Sequence, residues 1–500
     1  MKIKRLIKNI VLAAALLLPV SSCSDWLEVE MEDGILEDAL YADNEGFLTV
    51  LNGVYSNLNT SYASFLSMGA VDVMAQYYNV QRNASHPYYI YANYQYDDED
   101  FDAASGSVWS HLYSLILNTN VLLEQCDKEG SALSKQYYNI VKGEALALRA
   151  MMHFDLLRLY GPIYTTETAS QQAIAYLKDT ERKMQDILPA SKVVELILDD
   201  LKNAATLLAD DLIRTDGVNS SESEDLQETN DFRYRQYRLN YYAVQGLLAR
   251  LYMWTGDKVN ARNTVSALIT EIEENETFPW VTKSTVDGSN GVSDRVFSTE
   301  VIFGLYNVNR LSLFNGVYNK TLEGNALSFI GGVSGENSKL ATFYGTSSGS
   351  DYRAQMWESV VQENLSQKEE NKVGNSYLLK YSDIETTEHY RYMIPLMRIS
   401  EMYLIAAECS DNLEDACSYI NTIRLNRSVA DIENVTTENI QEYITAEFAR
   451  EVIGEGQLFF YYKRHAMETF ASGTSANTTF SMDLSSYVVP LPTIESNNRQ

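Results

Sequence analysis

A mostly α-helical fold with a loop-rich middle is what this sequence predicts, on three observations. Apolar residues recur at steps of three and four through several separate stretches, the spacing that lays one apolar stripe along a helix. Those stretches come in neighbouring pairs joined by turns or loops, the pattern of helical hairpins. Between residues 275 and 385 the periodicity gives way to Gly, Ser, Asn and Thr with short β-branched runs such as RVFSTEVIFGLY, which reads as long loops with a few strands.

In chain order, the first segment stands outside the folded body. Lys2, Lys4, Arg5 and Lys8 precede an uncharged run from Ile10 to Leu18, too short to span a bilayer as a helix, which is the layout of a secretory signal. Val20-Ser21-Ser22-Cys23 then resembles a lipobox, so residues 1–22 are expected to be removed and Cys23 to become the acylated first residue, with palmitate among its lipids. Each buried methylene of an acyl chain adds about 0.8 kcal/mol, so two or three chains anchor a protein that does not itself span.

The helical pairs follow. Residues 107–126 read as the antiparallel partner of 143–161, GEALALRAMMHFDLLRLYG, where Ala145, Leu148, Met152, Leu156 and Leu159 form one stripe. Gly161-Pro162 ends that helix because proline brings no N–H to the ladder. Residues 190–208 and 238–257 each predict a helix; in the second, Ala243, Leu247, Leu251 and Trp254 form the stripe, and Gly246 leaves room for a close neighbour. IPLMRISEMYLIAAECS, residues 394–410, sets Leu396, Ile399, Tyr403 and Ala406 on one face, and NLEDACSYINTIRLNR follows with Ala416, Ile420 and Ile423. Helix, tight turn and helix is the unit of tetratricopeptide arrays, here degenerate and widely spaced.

Composition excludes several functions. With 68 acidic against 39 basic residues and a formal charge of -29, the chain lacks the basic surface that a nucleic-acid backbone demands. Beyond Cys23 an odd set of thiols remains, Cys126, Cys409 and Cys417, so no disulfide framework is expected; a Cys409–Cys417 bridge is conceivable across a tight hairpin, and buried free thiols are the plainer reading. His86, His111, His153, His389 and His465 form no metal-binding spacing, and neither a nucleophile elbow nor a phosphate-cradling glycine loop is present. No catalytic residue, metal or cofactor is therefore assigned. Arg149, Asp155, Arg158, Arg398 and Glu401, all inside helical patterns, read as ion pairs that register helices.

Four stretches, GEALALRAMMHFDLLRLYGP, LLARLYMWTGD, IPLMRISEMYLIAAE with YINTIR, and AREVIGEGQLFFYYKR with VVPLPTIESN, carry a family signature, as does the lipobox followed by CSDWLE. In this order they resemble the SusD/RagB family of nutrient-uptake outer-membrane lipoproteins of Bacteroidetes. Leu458 and Tyr461 stand where that family often has Arg and Asp, which points to a subgroup. The resemblance implies a helical body with four tetratricopeptide-like helix pairs and irregular loops on the ligand face, residues 23–225 and 226–500 forming one compact fold. It also implies a cell-surface lipoprotein that binds an oligosaccharide, or alternatively a peptide, and delivers it to a SusC-like TonB-dependent transporter. A surface glycan hydrolase is the remaining alternative.

Tyrosine is the outlying count: 35, against 16 Phe and 5 Trp. The densest cluster is QYYNVQRNASHPYYIYANYQYDDEDF, residues 76–101. Flat aromatic faces stack on pyranose rings while Asn, Arg and His bond hydroxyls. Tyr77, Tyr78, Arg82, Asn83, His86, Tyr88, Tyr89 and Tyr91 are accordingly the candidate ligand residues, with Trp280 from the loop-rich middle added and Trp357 a weaker choice. The competing reading packs this segment against the helix that contains Trp109. The two make opposite demands on ring exposure.

Overall fold

The computed structural model describes residues 39–499 except 182, 220, 222–228, 290, 332–337, 346–348 and 362–373. The signal segment and Cys23 lie outside the described residues. Helices dominate. Helix α1 (Asn44–Ser61) runs into a π-helical turn (Tyr62–Met68) and short α2 (Ala70–Met74). Then come α3 (Glu99–Asp127), α4 (Lys135–Tyr160), α5 (Ala190–Leu207), α6 (Tyr241–Thr255) and α7 (Lys258–Asn275). After the loop-rich middle, with α8 (Arg310–Val317) and α9 (Lys339–Tyr344), follow α10 (Ile399–Cys409), α11 (Leu413–Leu425), α12 (Ile440–Glu451) and α13 (Leu458–Arg464). Helix α1 packs on α3, α4 on α5, α6 on α7 and α10 on α11, four hairpin-like pairs; α3 on α4 and α7 on α10 link them. One apolar cluster extends from Phe47 to Val489.

The predicted hairpins stand where their stripes placed them, with two differences. Helix α4 is no half-exposed amphipath: every residue from Gly143 to Tyr160 is buried, because α3, α5 and α1 cover different faces. Its charges survive there by pairing, as buried ions must. Arg149 meets Asp200 of α5 at 2.7 Å through two of its nitrogens, and Arg158 pairs with Asp155. The second difference lies at residues 394–398, expected as helix. They belong to strand β7 (Met393–Arg398), antiparallel to β3 (Val301–Tyr306), and the helix begins only at Ile399. Pro395 is a poor helix interior residue, while the β-branched VIFGLY run offers a partner strand. Gly246 does admit a close neighbour: a Cβ there would lie 2.2 Å from the Met397 sulfur on β7.

The middle holds a three-stranded sheet in the order β4 (Ser328–Ile330), β6 (Gly374–Leu378), β5 (Trp357–Val361). A buried ion network ties it to the C-terminal helices. Arg353, Arg398 and Arg427 share Glu451, at 2.7, 2.8 and 2.8 Å, and reach Glu447, Glu455 and Glu300 in turn. Cys126, Cys409 and Cys417 are free thiols, so no Cys409–Cys417 bridge exists; Cys409 contacts the Met253 sulfur instead. Leu458 and Tyr461 are buried, Tyr461 stacked on Phe448 at 4.4 Å.

Candidate ligand cleft

The segment 76–101 resolves the opposed demands residue by residue. Tyr77 and Tyr78 are 3% and 1% exposed and cannot serve as an open stacking platform. Tyr77 donates to the Ala449 carbonyl at 2.7 Å; Tyr78 donates to Asp72 at 3.3 Å and packs between Tyr77, Tyr318 and Phe329. Burial raises both hydroxyl pKa values well above their ordinary range. His86 is buried too, its Nδ1 accepting from the Tyr88 amide. Tyr88 and Tyr91 are half-buried against each other, with Tyr91 also on Phe65 and Phe101. Tyr94 and Tyr96 turn their hydroxyls inward, to the Met74 and Ser486 carbonyls. Arg82 is exposed; Tyr89 and Asn83 are partly so, and Asn83 ties the segment to the Gly324 carbonyl. Trp280 is half-buried with Tyr403 at its edge and the Arg427 guanidinium 5.2 Å above its ring, a cover over the ion network. Trp357 is buried and stacked on Phe329.

An open cleft of about 850 Å³ lies elsewhere, between α1, the turn before α6, the end of β3 and the loop before β7. Its size falls in the range of ligand sites. Aromatic walls come from Tyr234, Tyr237, Tyr306 and His389, and polar groups from Asn52, Asp231, Arg233 and Arg238. The turn is held from below. Arg235 is fully buried and bonds both carboxylate oxygens of Asp211 at 3.0 and 2.7 Å and also Glu144. Gln236 donates to the Ser298 and Val301 carbonyls. With 235 and 236 drawn inward, Tyr234 and Tyr237 on either side remain partly exposed along the cleft. Tyr234 holds φ of 53°, a left-handed conformation costly for a bulky residue that this doubly anchored turn imposes.

Tyr306 ends β3 and is 46% exposed; its carbonyl accepts from Asn59 and its ring meets Tyr237 edge-on at 5.5 Å and Tyr392 at 5.3 Å. Tyr237 shares a hydrogen bond of 2.8 Å with His389 Nδ1, and His389 also edges Tyr234 at 5.7 Å. Burial lowers the His389 pKa, which favours the neutral ring, and the Tyr237 hydroxyl also reaches the His389 carbonyl at 3.2 Å. Burial, then neighbouring Tyr306, raises the Tyr237 pKa, keeping its hydroxyl protonated. Arg238 spans Tyr55 with its guanidinium 4.7 Å above the ring and donates to Asn52. Preset aromatic faces beside fixed donors and acceptors give a site for a ligand with apolar flat faces and a polar rim. Helix α8, about 12 Å long at 1.5 Å per residue, runs from just beyond Tyr306 toward the helical turn Lys320–Asn325 that contacts Asn83.

Two family models match this chain: "Starch-binding associating with outer membrane" over residues 25–221 and "SusD family" over 314–493. The chain belongs to the SusD/RagB family. A SusD-like protein of Formosa agariphila is 26% identical over 202 residues, 39% of this chain, and the match spans 37% of that relative's length. Solved structures carry the same fold. A SusD superfamily protein of Bacteroides vulgatus aligns with a TM-score of 0.65 at 19% identity, over 91% of this SusD-family chain and 97% of its own. A SusD-like carbohydrate binding protein of the same organism aligns at 0.62 and 18%, over 85% and 84%. Among the described residues of this SusD-family member, no helix is long and apolar enough to cross a membrane.

Proposed function

We propose that this SusD-family chain is a surface-exposed, lipid-anchored protein that captures an oligosaccharide in the Tyr234–Tyr237–Tyr306–His389 cleft and passes it to a TonB-dependent transporter. The cleft carries the reading: exposed aromatic faces and fixed polar groups line one open volume, the combination that pyranose recognition needs. Family membership supports the outer-membrane setting, and the lipobox at Cys23 supports the anchor. Arg82, which is exposed, and Asn83 and Tyr89, which are partly so, are further candidates for ligand contact. Binding without hydrolysis is the role assigned.

Isothermal titration against a panel of starch-type and other oligosaccharides, followed by chromatography of the recovered ligand, tests it. Saturable binding, weakened in Tyr306→Ala and leaving the glycan intact, is the expected result. Shortened ligand assigns a hydrolase instead; binding unaffected by Tyr306→Ala removes the cleft. Cys23→Ala is expected to abolish palmitate labelling, and purification from mild detergent to recover a roughly stoichiometric barrel partner.

A further inference from the structure

A second cavity of about 420 Å³ opens between α9, α12 and β8 (Thr469–Ala471), sharing no lining residue with the cleft. Its walls are chiefly apolar: Tyr77 and Phe343 meet edge to face, Tyr462 and Phe470 stack at 4.3 Å, and Ala446 and Ala449 of α12 leave the space unfilled. Two cations reach this lining, Lys339 and Arg450. Lys339 is 4% exposed, and its ammonium has a single acceptor, the Ser472 carbonyl at 2.7 Å, with no carboxylate paired to it among the described residues. Arg450, also on the lining, is already committed to the Phe343 carbonyl and Glu447; Glu442 sits exposed in water. Buried Arg353, Arg398 and Arg427 have counter-carboxylates, and buried Arg310 and Lys463 each donate to three backbone carbonyls instead, where Lys339 has one. An ammonium has three donors, and a buried cation without a counter-ion is costly. Burial accordingly lowers the Lys339 pKa to about 8.

We propose that this cavity is a separate site for a small carboxylic acid with an aromatic or branched aliphatic body, the carboxylate accepting from Lys339 and the body filling the space beside Tyr77 and Phe343. A sugar suits it poorly, because apolar surface makes up most of the wall. The site is independent of the glycan reading.

Ligand-observed NMR and calorimetry on the detergent-solubilised full chain, with phenylacetate, benzoate and isovalerate as probes and phenylacetamide as the uncharged control, test the proposal. At least one acid is expected to bind, with phenylacetamide weaker than phenylacetate by at least about tenfold, the scale of one charged hydrogen bond. Lys339→Met, which keeps the apolar stem, is expected to cost the acid a similar factor without lowering the melting temperature. Ala446→Phe fills the cavity from a half-exposed helix position and is expected to abolish acid binding while leaving glycan binding intact. The proposal is overturned by the absence of acid binding to the folded protein, by equal affinity for acid and amide, or by unchanged acid affinity in a folded Ala446→Phe variant.

Discussion

The segment around Tyr77–Tyr96 and the cleft around Tyr234–Tyr306 are both crowded with tyrosine, yet they spend it in opposite ways. In the first, Tyr77, Tyr94 and Tyr96 send their hydroxyls to backbone carbonyls of Ala449, Met74 and Ser486, so rings and polar tips are both consumed by packing. In the second, Tyr306 keeps nearly half its surface open, and Tyr237 bonds another side chain on the cleft wall. A tyrosine count thus measures half-polar packing as well as ligand contact. What separates the two is where each hydroxyl ends, and that depends on elements from 20 to 390 residues away.

Replacing a packed tyrosine should give the largest effect. Tyr78→Ala opens space between Tyr77, Tyr318 and Phe329, and aromatic-to-Ala changes in cores cost about 3–5 kcal/mol. Urea unfolding checks the loss, and titration of the folded fraction should show unchanged glycan affinity. A stable Tyr78→Ala protein with lost binding would break the comparison.

Beneath Tyr78 lies the second test. Asp72 accepts from the Gly454 and Gly456 amides at 2.6 and 3.0 Å, and burial pushes its pKa from 3.8 up to about 7. Both glycines need their positive φ of 78° and 69°, and a Cβ on Gly456 would strike the Leu66 carbonyl, which is what the glycines of the GEG stretch do here. The native state therefore holds this proton over a range where the unfolded chain has released it. This contribution to stability is complete below pH 3.8 and is lost as pH rises through about 7, at up to about 1.4 kcal/mol per pH unit. His153 opposes it: burial lowers its pKa to about 3, so its contribution is present above 6.5 and lost as pH falls through about 3. Unfolding of wild type and Asp72→Asn from pH 4 to 7.5 isolates the Asp72 slope by difference. Identical slopes would show Asp72 to be ionised throughout.

Much of this was legible beforehand. The helices α4, α5, α6 and α11 were readable because long periodic runs admit one interpretation, and Arg149 paired as its helical position implied. Strand β7 was not, since Leu396 and Ile399 fit a helical step and only the distant VIFGLY strand decides otherwise. The cleft was not legible either: Tyr234, Tyr237, Tyr306 and His389 come from three separated stretches. The one local trace is YRQY, whose two inner residues are anchored below while the tyrosines flank them, and sequence alone does not say which pair is inward.

The cleft itself should respond in affinity and hardly in stability. Tyr306→Ala removes an exposed ring, so folding should change by no more than about 0.5 kcal/mol. Glycan binding should weaken by about 1–3 kcal/mol, on analogy with bases stacked on aromatics. Calorimetry paired with a melting curve reads both, and a Tyr306→Ala protein that melts early but binds normally would move Tyr306 into the packed class.

The smallest effect sharpens the comparison most. Tyr237→Phe deletes the hydroxyl that joins His389 Nδ1 at 2.8 Å while keeping the ring against Tyr306. A side-chain hydrogen bond is worth about 0.5–1.5 kcal/mol net, and the loss here falls at the low end because the partly exposed His389 can turn to water. If the cleft recognises ring faces, Tyr237→Phe should bind glycan within about twofold of wild type, or about 0.4 kcal/mol. The matching change in the packed segment, Tyr77→Phe, strands the buried Ala449 carbonyl and should cost more stability, about 1–3 kcal/mol, with no change in affinity. Melting curves and titrations on the two variants place them side by side. Equal stability losses, or a binding defect in Tyr77→Phe alone, would show that the hydroxyl's destination does not separate the ligand face from the core.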